Sequence, residues 1–558
     1  MKNILYRFRY LVLVIVTASF SILSYSFVDD YFEVSKNLDI FCSLFREVNM
    51  YYVDPTDPGK LMKKGIDDML ESLDPYTNYI PESDIEDYRF ITTGLYGGIG
   101  ALIKQKGDFV VISEPYEGYP AQKAGLLAGD VILEIDGKPA RGKKTDDVSH
   151  VLKGAPKTSI RLLVQRDGEK SPFEKTIIRE EIKVKSVPYS GIIGNDIGYI
   201  RLTSFTENSG RDVADALKSM REKAPLKGLV LDLRGNPGGL LNEAVNISNV
   251  FVQQGQDIVS TKGKMHEMDR TYKALNQALD TQVPLAVLVN SGSASASEIV
   301  SGSLQDLDRG IIVGQRSFGK GLVQTTRPIS YNSQVKITTA KYYIPSGRCI
   351  QALDYTHRNE DGSVGKIPDS LVTAFKTKAG RIVFDGGGIL PDVKTDAKKL
   401  SAIAISMLNK NIIFDYATRY RAQHPQIASA TGFRLSDSDF EDFVQFIGDK
   451  DYDYVTKSEK TLEDLKKNSE EEKYYEEIHS EFDALKNKLA HDKKSDVQKN
   501  KAELTQLLEE EIVSRYFYQK GRIESGLQHD PDLQKAIEVM TDGSRYKAIL
   551  DGSLKAEK

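Results

Sequence analysis

A chain of 558 residues is long enough for several domains, each with its own core. Its 75 basic residues stand against 80 acidic ones, a formal charge of −5, so no positive surface for nucleic acid is expected. Two cysteines, Cys42 and Cys349, are too few for a disulfide framework, and the seven scattered histidines lack ligand spacing, so neither a metal nor another cofactor is expected.

The chain opens with Lys2, Arg7 and Arg9 ahead of an apolar run, Tyr10–Phe27. A basic flank before an apolar stretch is the pattern of an export signal, and the run is also near the minimum length of a membrane span. Residues 1–28 therefore read as a signal sequence or a membrane anchor; the small residues Ser24 and Ser26 make a poor cleavage site and leave both open. Residues 29–92 read as a helical segment, since Ile40, Leu44, Phe45 and Val48 recur at helical spacing and Leu61–Leu73 continues the pattern. From 93 to 182, β-rich runs such as Phe109–Ile112, Asp130–Ile135 and Ser159–Gln165 are split by turns.

Residues 183–395 alternate strands with helices, Ile197–Leu202 then Glu207–Lys223 and Leu229–Leu233 then Leu240–Val252, which argues for α/β layers. The apolar run Pro284–Val289 reads as a buried strand, leads through Asn290–Glu298 (NSGSASASE), and is followed by a helical pattern, Ile299–Leu307. A serine at such a turn presents its hydroxyl at the end of a sheet, near helix N–H groups. A second run, Gly310–Gly314, precedes Ser317–Gln324 (SFGKGLVQ), where Lys320 lies between Gly319 and Gly321. No GxSxG, HExxH or CxxC motif is present, so a hydrolase built on this chain has to pair a serine with something other than histidine. Beyond residue 396 the chain reads as mostly helical: Leu504, Leu507, Leu508 and Ile512 keep helical spacing, and the Lys/Glu-rich stretch Asp451–Lys501 reads as a solvated face.

Taken together, LDPYTNYIP (Leu73–Pro81), LYGGIG (Leu95–Gly100), PAQKAGLLAGDVILEIDG (Pro120–Gly137), DLRGNPGG (Asp232–Gly239), SASASE, FGKGLVQ, YYIPSGRCIQ (Tyr342–Gln351) and GILPD (Gly388–Asp392) occur in the order of one family. Over roughly residues 33–395 the chain resembles the carboxy-terminal processing peptidases, tail-specific serine proteases that use a Ser–Lys dyad. The resemblance implies that Ser295 is the nucleophile, Lys320 the base, 25 positions further on, and Gln324 its positioning partner. It also implies a crotonase-like protease core (183–395) with an inserted PDZ domain (93–182); together with the helical C-terminal extension (396–558) read from its spacing, this makes an α/β multidomain protein. In the PDZ-like segment the glycine-rich loop Leu95, Tyr96, Gly97, Gly98, Ile99 and Gly100 is expected to leave backbone N–H groups for a substrate's terminal carboxylate.

The chemistry can be checked independently. A lysine acting as a base has to shed its charge, which burial without a neighbouring carboxylate favours. Phe318–Val323 carries no acid, and Gln324 offers a neutral amide that orients an amine without recharging it. For the oxyanion, the backbone N–H of Ala296 is one candidate donor and that of Gly238, in the turn Asn236–Gly239, is the other. Alone, Ser295-x-x-Glu298 is equally a capping box, Lys320 a solvated loop charge, and Ser293 and Ser297 rival hydroxyls. A phosphate loop is excluded, because Gly314-x-x-x-x-Gly319-Lys320 is followed by Gly321 where a serine or threonine is required. The expected partners are protein or peptide substrates with accessible C-termini, and the membrane if the N-terminal segment is retained. The C-terminal helices are candidates for scaffolding, homo-oligomerisation or adaptor docking. The expected location is the periplasmic side of a bacterial cell envelope, either released into the periplasm or anchored to the inner membrane. The competing reading is a catalytically silent PDZ adaptor in the envelope.

Overall fold

The computed structural model describes residues 31–194, 196–359, 363–489 and 493–554, and the predicted signal or anchor lies outside the described residues. The chain forms two compact units, Met1–Tyr79 and Ile80–Lys558. In the first, a helix over 31–51 is followed by the helix Pro58–Glu71. The side chain of Asp57 accepts from the Lys60 N–H at 3.1 Å, and Pro58 occupies the first turn, where its missing N–H has no partner to lose. The stretch read as one helical segment, 29–92, is thus divided after Tyr79. The helix Ile85–Thr93 belongs to the second unit.

In the second unit, five strands pair antiparallel in chain order: Ala101–Lys106, Phe109–Pro115, Val131–Ile135, Ser159–Gln165 and Phe173–Ile178. Alternation along Ser159–Gln165 sends Ile160, Leu162 and Val164 inward, against Val148 and Leu152 of the helix Thr145–Leu152. Ala101–Lys106 is an edge strand, and that helix lies beside it.

The central sheet has six strands in the order Tyr189–Ile193, Ile197–Arg201, Gly228–Asp232, Leu285–Val289, Ile311–Gly314 and Val393–Lys394. All are parallel except the first, which pairs antiparallel with Ile197–Arg201. These strands read as continuous apolar runs because both faces are covered. Leu229, Leu231, Leu285, Val287 and Ile312 face one way, against the helices Ser209–Lys223, Leu241–Phe251 and Ala296–Asp306. Val230, Ala286, Leu288, Ile311 and Val313 face the other, against Leu533, Ala536, Val539, Met540 and Ile549. The second cover comes from the helices Pro531–Thr541 and Gly543–Leu550, so part of the stretch read as an extension completes the α/β core.

A smaller antiparallel sheet carries Leu322–Pro328, Gln334–Tyr343, Asp257–Gly263 and Arg270–Lys273. The helices Ala402–Asn409, Ile412–Gln423, Asp437–Phe446 and Lys501–Gly526 share a separate core around Tyr416, Phe443, Leu508 and Ile512. The charged helices Lys457–Glu471 and Tyr475–Leu489 bury only Leu462, Ser469 and Phe482. Lys104, on the edge strand Ala101–Lys106, sets its ammonium 3.2 Å from the Phe414 ring centroid, and burial pushes its amine down to about 8. Arg522 reaches the buried Glu114 at 2.9 Å, so the domain built on that edge strand's antiparallel sheet is seated on the helical one.

Candidate active site

The strand Leu285–Val289 ends at Asn290, and the chain turns through Ser293–Ser295 into a helix whose eleven residues, Ala296–Asp306, are all buried. Ser295 makes that turn with φ 56° and ψ −113°, outside the regions an L-residue adopts without strain. The three serines are no longer equivalent. Ser293 Oγ, fully buried, donates to the Leu233 carbonyl at 2.8 Å and accepts from the Asn290 N–H at 2.9 Å. Ser297 Oγ, also fully buried, donates to the Asn236 carbonyl at 2.9 Å. Ser295 alone of the three lines a cleft of about 350 Å³, and Lys320, Gln324, Ala296 and Gly238 line the same cleft.

The loop that presents Lys320 is pinned from both sides. Gly319 has φ 89°, and a Cβ there would stand 2.4 Å from the Ala352 Cβ, so only glycine allows the close approach that the Ala352 N–H to Gly319 carbonyl bond (2.9 Å) records. Gly321 donates to Gln351 Oε1 at 2.7 Å. Gln324, on the strand Leu322–Pro328, donates from Nε2 to Thr338 Oγ1 at 3.0 Å, which fixes its amide at the cleft wall.

Glu298 joins the two loops, and the sequence reading gave it only a capping role. Its carboxylate is fully buried. One oxygen accepts from the Ser295 N–H (2.8 Å) and the Lys320 N–H (2.9 Å), the other from Ser317 Oγ (2.6 Å) and the Gly319 N–H (2.7 Å). Burial pushes this carboxyl up to about 7, even against the four donors. No acid is adjacent to Lys320 in sequence, as read, and folding brings Glu298 to its backbone N–H. The buried Tyr342 hydroxyl adds a bond to the Ser295 carbonyl at 3.2 Å. Tyr88 on Ile85–Thr93 also lines the cleft and shares a hydrogen bond with Thr326, on the strand that carries Gln324.

The glycine turn is placed as expected, but one of its N–H groups is not. A Cβ on Gly238 (φ 100°) would lie 2.9 Å from both the Ala296 nitrogen and the Ser295 Cβ, so the turn abuts the serine and the helix start. The Gly238 N–H, however, donates to Asn236 Oδ1 at 2.9 Å. This corrects the reading of Gly238 as an oxyanion donor: its lack of a side chain leaves room at the site, while its hydrogen closes the turn. Leu95–Gly100 lies apart from this cleft, and it is not all loop. Leu95–Gly98 is a strand paired antiparallel with Glu180–Lys183, and Gly97 lets the Gly154 backbone lie against it: a Cβ on Gly97 would stand 2.2 Å from the Gly154 carbonyl oxygen. Only Ile99 and Gly100 continue as a turn, toward Ala101–Lys106.

A strained serine at a helix start, sharing a cleft with a lysine, is a hydrolase geometry, and the comparisons with known proteins agree. The chain is 42% identical over 324 residues to a carboxy-terminal-processing protease of Bartonella bacilliformis, covering 58% of this chain and 74% of that one. The chain belongs to peptidase family S41. It is a serine peptidase of the carboxy-terminal-processing type, and the family profile matches residues 196–357. A PDZ domain matches 111–166, and the C-terminal helical domain described for probable PDZ-proteases matches 403–540. A probable CtpA-like serine protease of Staphylococcus aureus is 33% identical over 419 residues, 72% of this S41 peptidase and 80% of the relative. Among solved structures, a photosystem II D1 C-terminal processing protease aligns at 29% identity and a TM-score of 0.34, covering 64% of this chain and 92% of that one.

Proposed function

We propose that this S41 peptidase captures the free carboxyl end of a protein or peptide through its PDZ domain and cuts the chain with a Ser295–Lys320 dyad. The placement of Ser295 carries the reading: a strained backbone at the start of a buried helix, in the cleft that Lys320 and Gln324 also line, while Ser293 and Ser297 are committed to backbone partners. Ser295 Oγ attacks the scissile carbonyl as Lys320, oriented by Gln324, takes its proton. The oxyanion rests against the Ala296 N–H at the positive end of the helix. Collapse of this intermediate expels the amine with the proton from Lys320 and leaves an acyl-enzyme on Ser295. Lys320 then deprotonates the water that releases the acid and restores the serine.

Capture of the tail is supported by the open edge of Ala101–Lys106 beside Thr145–Leu152, where an extended peptide can add as a strand. The Ile99 and Gly100 carbonyls already accept from the Ala121 and Tyr116 N–H groups, so the turn before that strand offers an incoming carboxylate N–H groups rather than oxygens. The basic and apolar start of the sequence supports export to the periplasmic side of a bacterial envelope, as a released or anchored protein.

The test is digestion of denatured casein by Ser295→Ala, Ser293→Ala and Ser297→Ala. Ser295→Ala is expected to abolish turnover with an unchanged melting profile, while the other two cut. Loss of turnover in Ser293→Ala or Ser297→Ala with activity retained in Ser295→Ala would overturn the assignment. Cell fractionation tests export, and a full-length chain found only in the cytoplasm would contradict it.

A further inference from the structure

We propose that Asp530 and Asp532, at the start of the C-terminal helix Pro531–Thr541, are positioning residues of the peptidase, acting through Arg234 on the glycine turn that borders the oxyanion site. The inference rests on the Ser295 reading of the site and extends it to a part of the chain almost 300 residues away in sequence.

Arg234 opens the turn that ends at Gly239. Its Nε donates to Asp232 Oδ1 at 3.0 Å and its Nη2 to Asp232 Oδ2 at 2.7 Å. The remaining hydrogens go to the C-terminal helix: Nη1 to Asp530 Oδ1 at 2.9 Å and Asp532 Oδ2 at 3.0 Å, and Nη2 to the second oxygen of Asp530. Its carbonyl accepts from Arg201 Nη2 at 2.8 Å. Asp232 is fully buried; burial alone would raise its carboxyl, but Arg234 and Arg201 overcome that and hold it well below the usual range. Asp532 is tied to the end of the sheet as well, accepting from Thr395 Oγ1 at 2.6 Å.

The turn passes this anchorage on to the nucleophile. Asn236 donates from Nδ2 to the Leu202 carbonyl at 2.9 Å, and its own carbonyl accepts from the Ala294 N–H at 3.0 Å and from Ser297 Oγ at 2.9 Å. Gly238 then packs against Ser295 and Ala296. Docking of the helices onto the sheet is already provided by Leu533, Ala536, Val539, Met540 and Ile549. Two mostly buried carboxylates add desolvation cost to that contact, and what they secure is one position for Arg234.

The test uses the full chain and a peptide substrate with a free carboxyl end. Asp530→Asn/Asp532→Asn keeps side-chain size and leaves an effective helix cap at 530, but removes both charges. A small displacement of a catalytic group or the loss of an oxyanion donor lowers kcat by about a hundredfold. Partial loosening of the turn is therefore expected to lower kcat about ten- to a hundredfold, with KM within about twofold. Binding of a peptide boronic acid, whose tetrahedral adduct puts an oxygen at the oxyanion site, is expected to weaken in parallel. Tyr546→Phe is the structural control: it removes hydroxyl bonds to the Leu285 N–H (2.8 Å) and carbonyl (3.2 Å) in the same layer, and is expected to lower Tm without changing kcat. If the double variant does not fold, each single Asn variant is expected to show part of the kcat loss. A wild-type kcat per folded molecule in the Asn variants, or an equal loss in Tyr546→Phe, would overturn the proposal. Turnover retained by Ser295→Ala, run alongside, would instead sink the site assignment itself.

Discussion

Replacing Glu298 with glutamine separates what this residue does for activity from what it does for stability. The carboxylate takes two donors on each oxygen: Ser295 and Lys320 N–H on one, Ser317 Oγ and Gly319 N–H on the other. A glutamine amide satisfies at most three of them. Turned so that its NH2 meets Ser317 Oγ, which can accept, it still points a hydrogen at the Gly319 N–H, and the alternative turn confronts two N–H groups. The loop carrying Lys320 therefore shifts, and kcat is expected to fall about ten- to a hundredfold. Stability moves differently. Burial raises the native carboxyl to about 7 from 4.5, so the native state prefers the protonated acid. That contribution is fully present below about 4.5 and is lost as pH rises through about 7, a difference of about 3 kcal/mol. Glutamine never ionises and avoids that loss at pH 8, while the N–H conflict costs about 1–3 kcal/mol. The variant is thus expected to melt no lower than the parent at pH 8 yet to turn over far more slowly. The assay is kcat against pH for both proteins, with melting curves at each pH. In the parent, activity rises as Glu298 ionises near 7, and in Glu298→Gln that component of the rise is absent. Near-normal kcat in Glu298→Gln with an unchanged pH profile would refute the bridging role.

Gly238→Ala puts a Cβ 2.7 Å from the Ala294 carbonyl oxygen and 2.9 Å from the Ala296 nitrogen at a φ of 100°, so peptide hydrolysis should drop by about a hundredfold or more. Lys320→Arg should be as inactive on casein as Lys320→Ala, since a guanidinium cannot act as a base in this pH range. Near-normal turnover in Lys320→Arg would exclude the general-base role. In Ser295→Ala, a peptide ending in a carboxamide should bind about ten- to a hundredfold more weakly than its free acid, the value of about 1.5–3 kcal/mol for a charge-assisted hydrogen bond. Equal affinities by calorimetry would remove terminal-carboxylate recognition from the account.

Much of this architecture is legible in the sequence because strands buried on both faces announce themselves. Leu285–Val289 and Ile311–Gly314 are unbroken apolar runs, and the segments that follow them hold Ser295 and Lys320. The choice of Ser295 over Ser293 and Ser297 was open on residue chemistry alone, since three hydroxyls in SASASE differ only in what they touch after folding. Glu298 was hidden by its own motif: a serine followed three positions later by glutamate is a common cap. The available signal was a carboxylate set among Ala, Ser, Gly and aliphatic residues over 296–304, the first nine positions of a helix with no solvated face. The link from Arg234 to Asp530 and Asp532 spans almost 300 positions and leaves no periodicity to read. Pro531–Thr541 looks like any amphipathic helix until the sheet it covers is known. Leu95–Gly98 misled in the opposite sense, since glycines that suggest a loop here allow a strand to lie close against its neighbours.

The central claim is that Ser295 is the nucleophile and that Lys320 activates it. The most direct measurement is to react the full chain with a fluorophosphonate and locate the adduct by peptide mass spectrometry, in the parent and in Lys320→Ala. The account predicts a single phosphonylated residue, Ser295, with labelling lost or greatly slowed in Lys320→Ala. Labelling at Ser293 or Ser297, or equal labelling of Ser295 without Lys320, would contradict it.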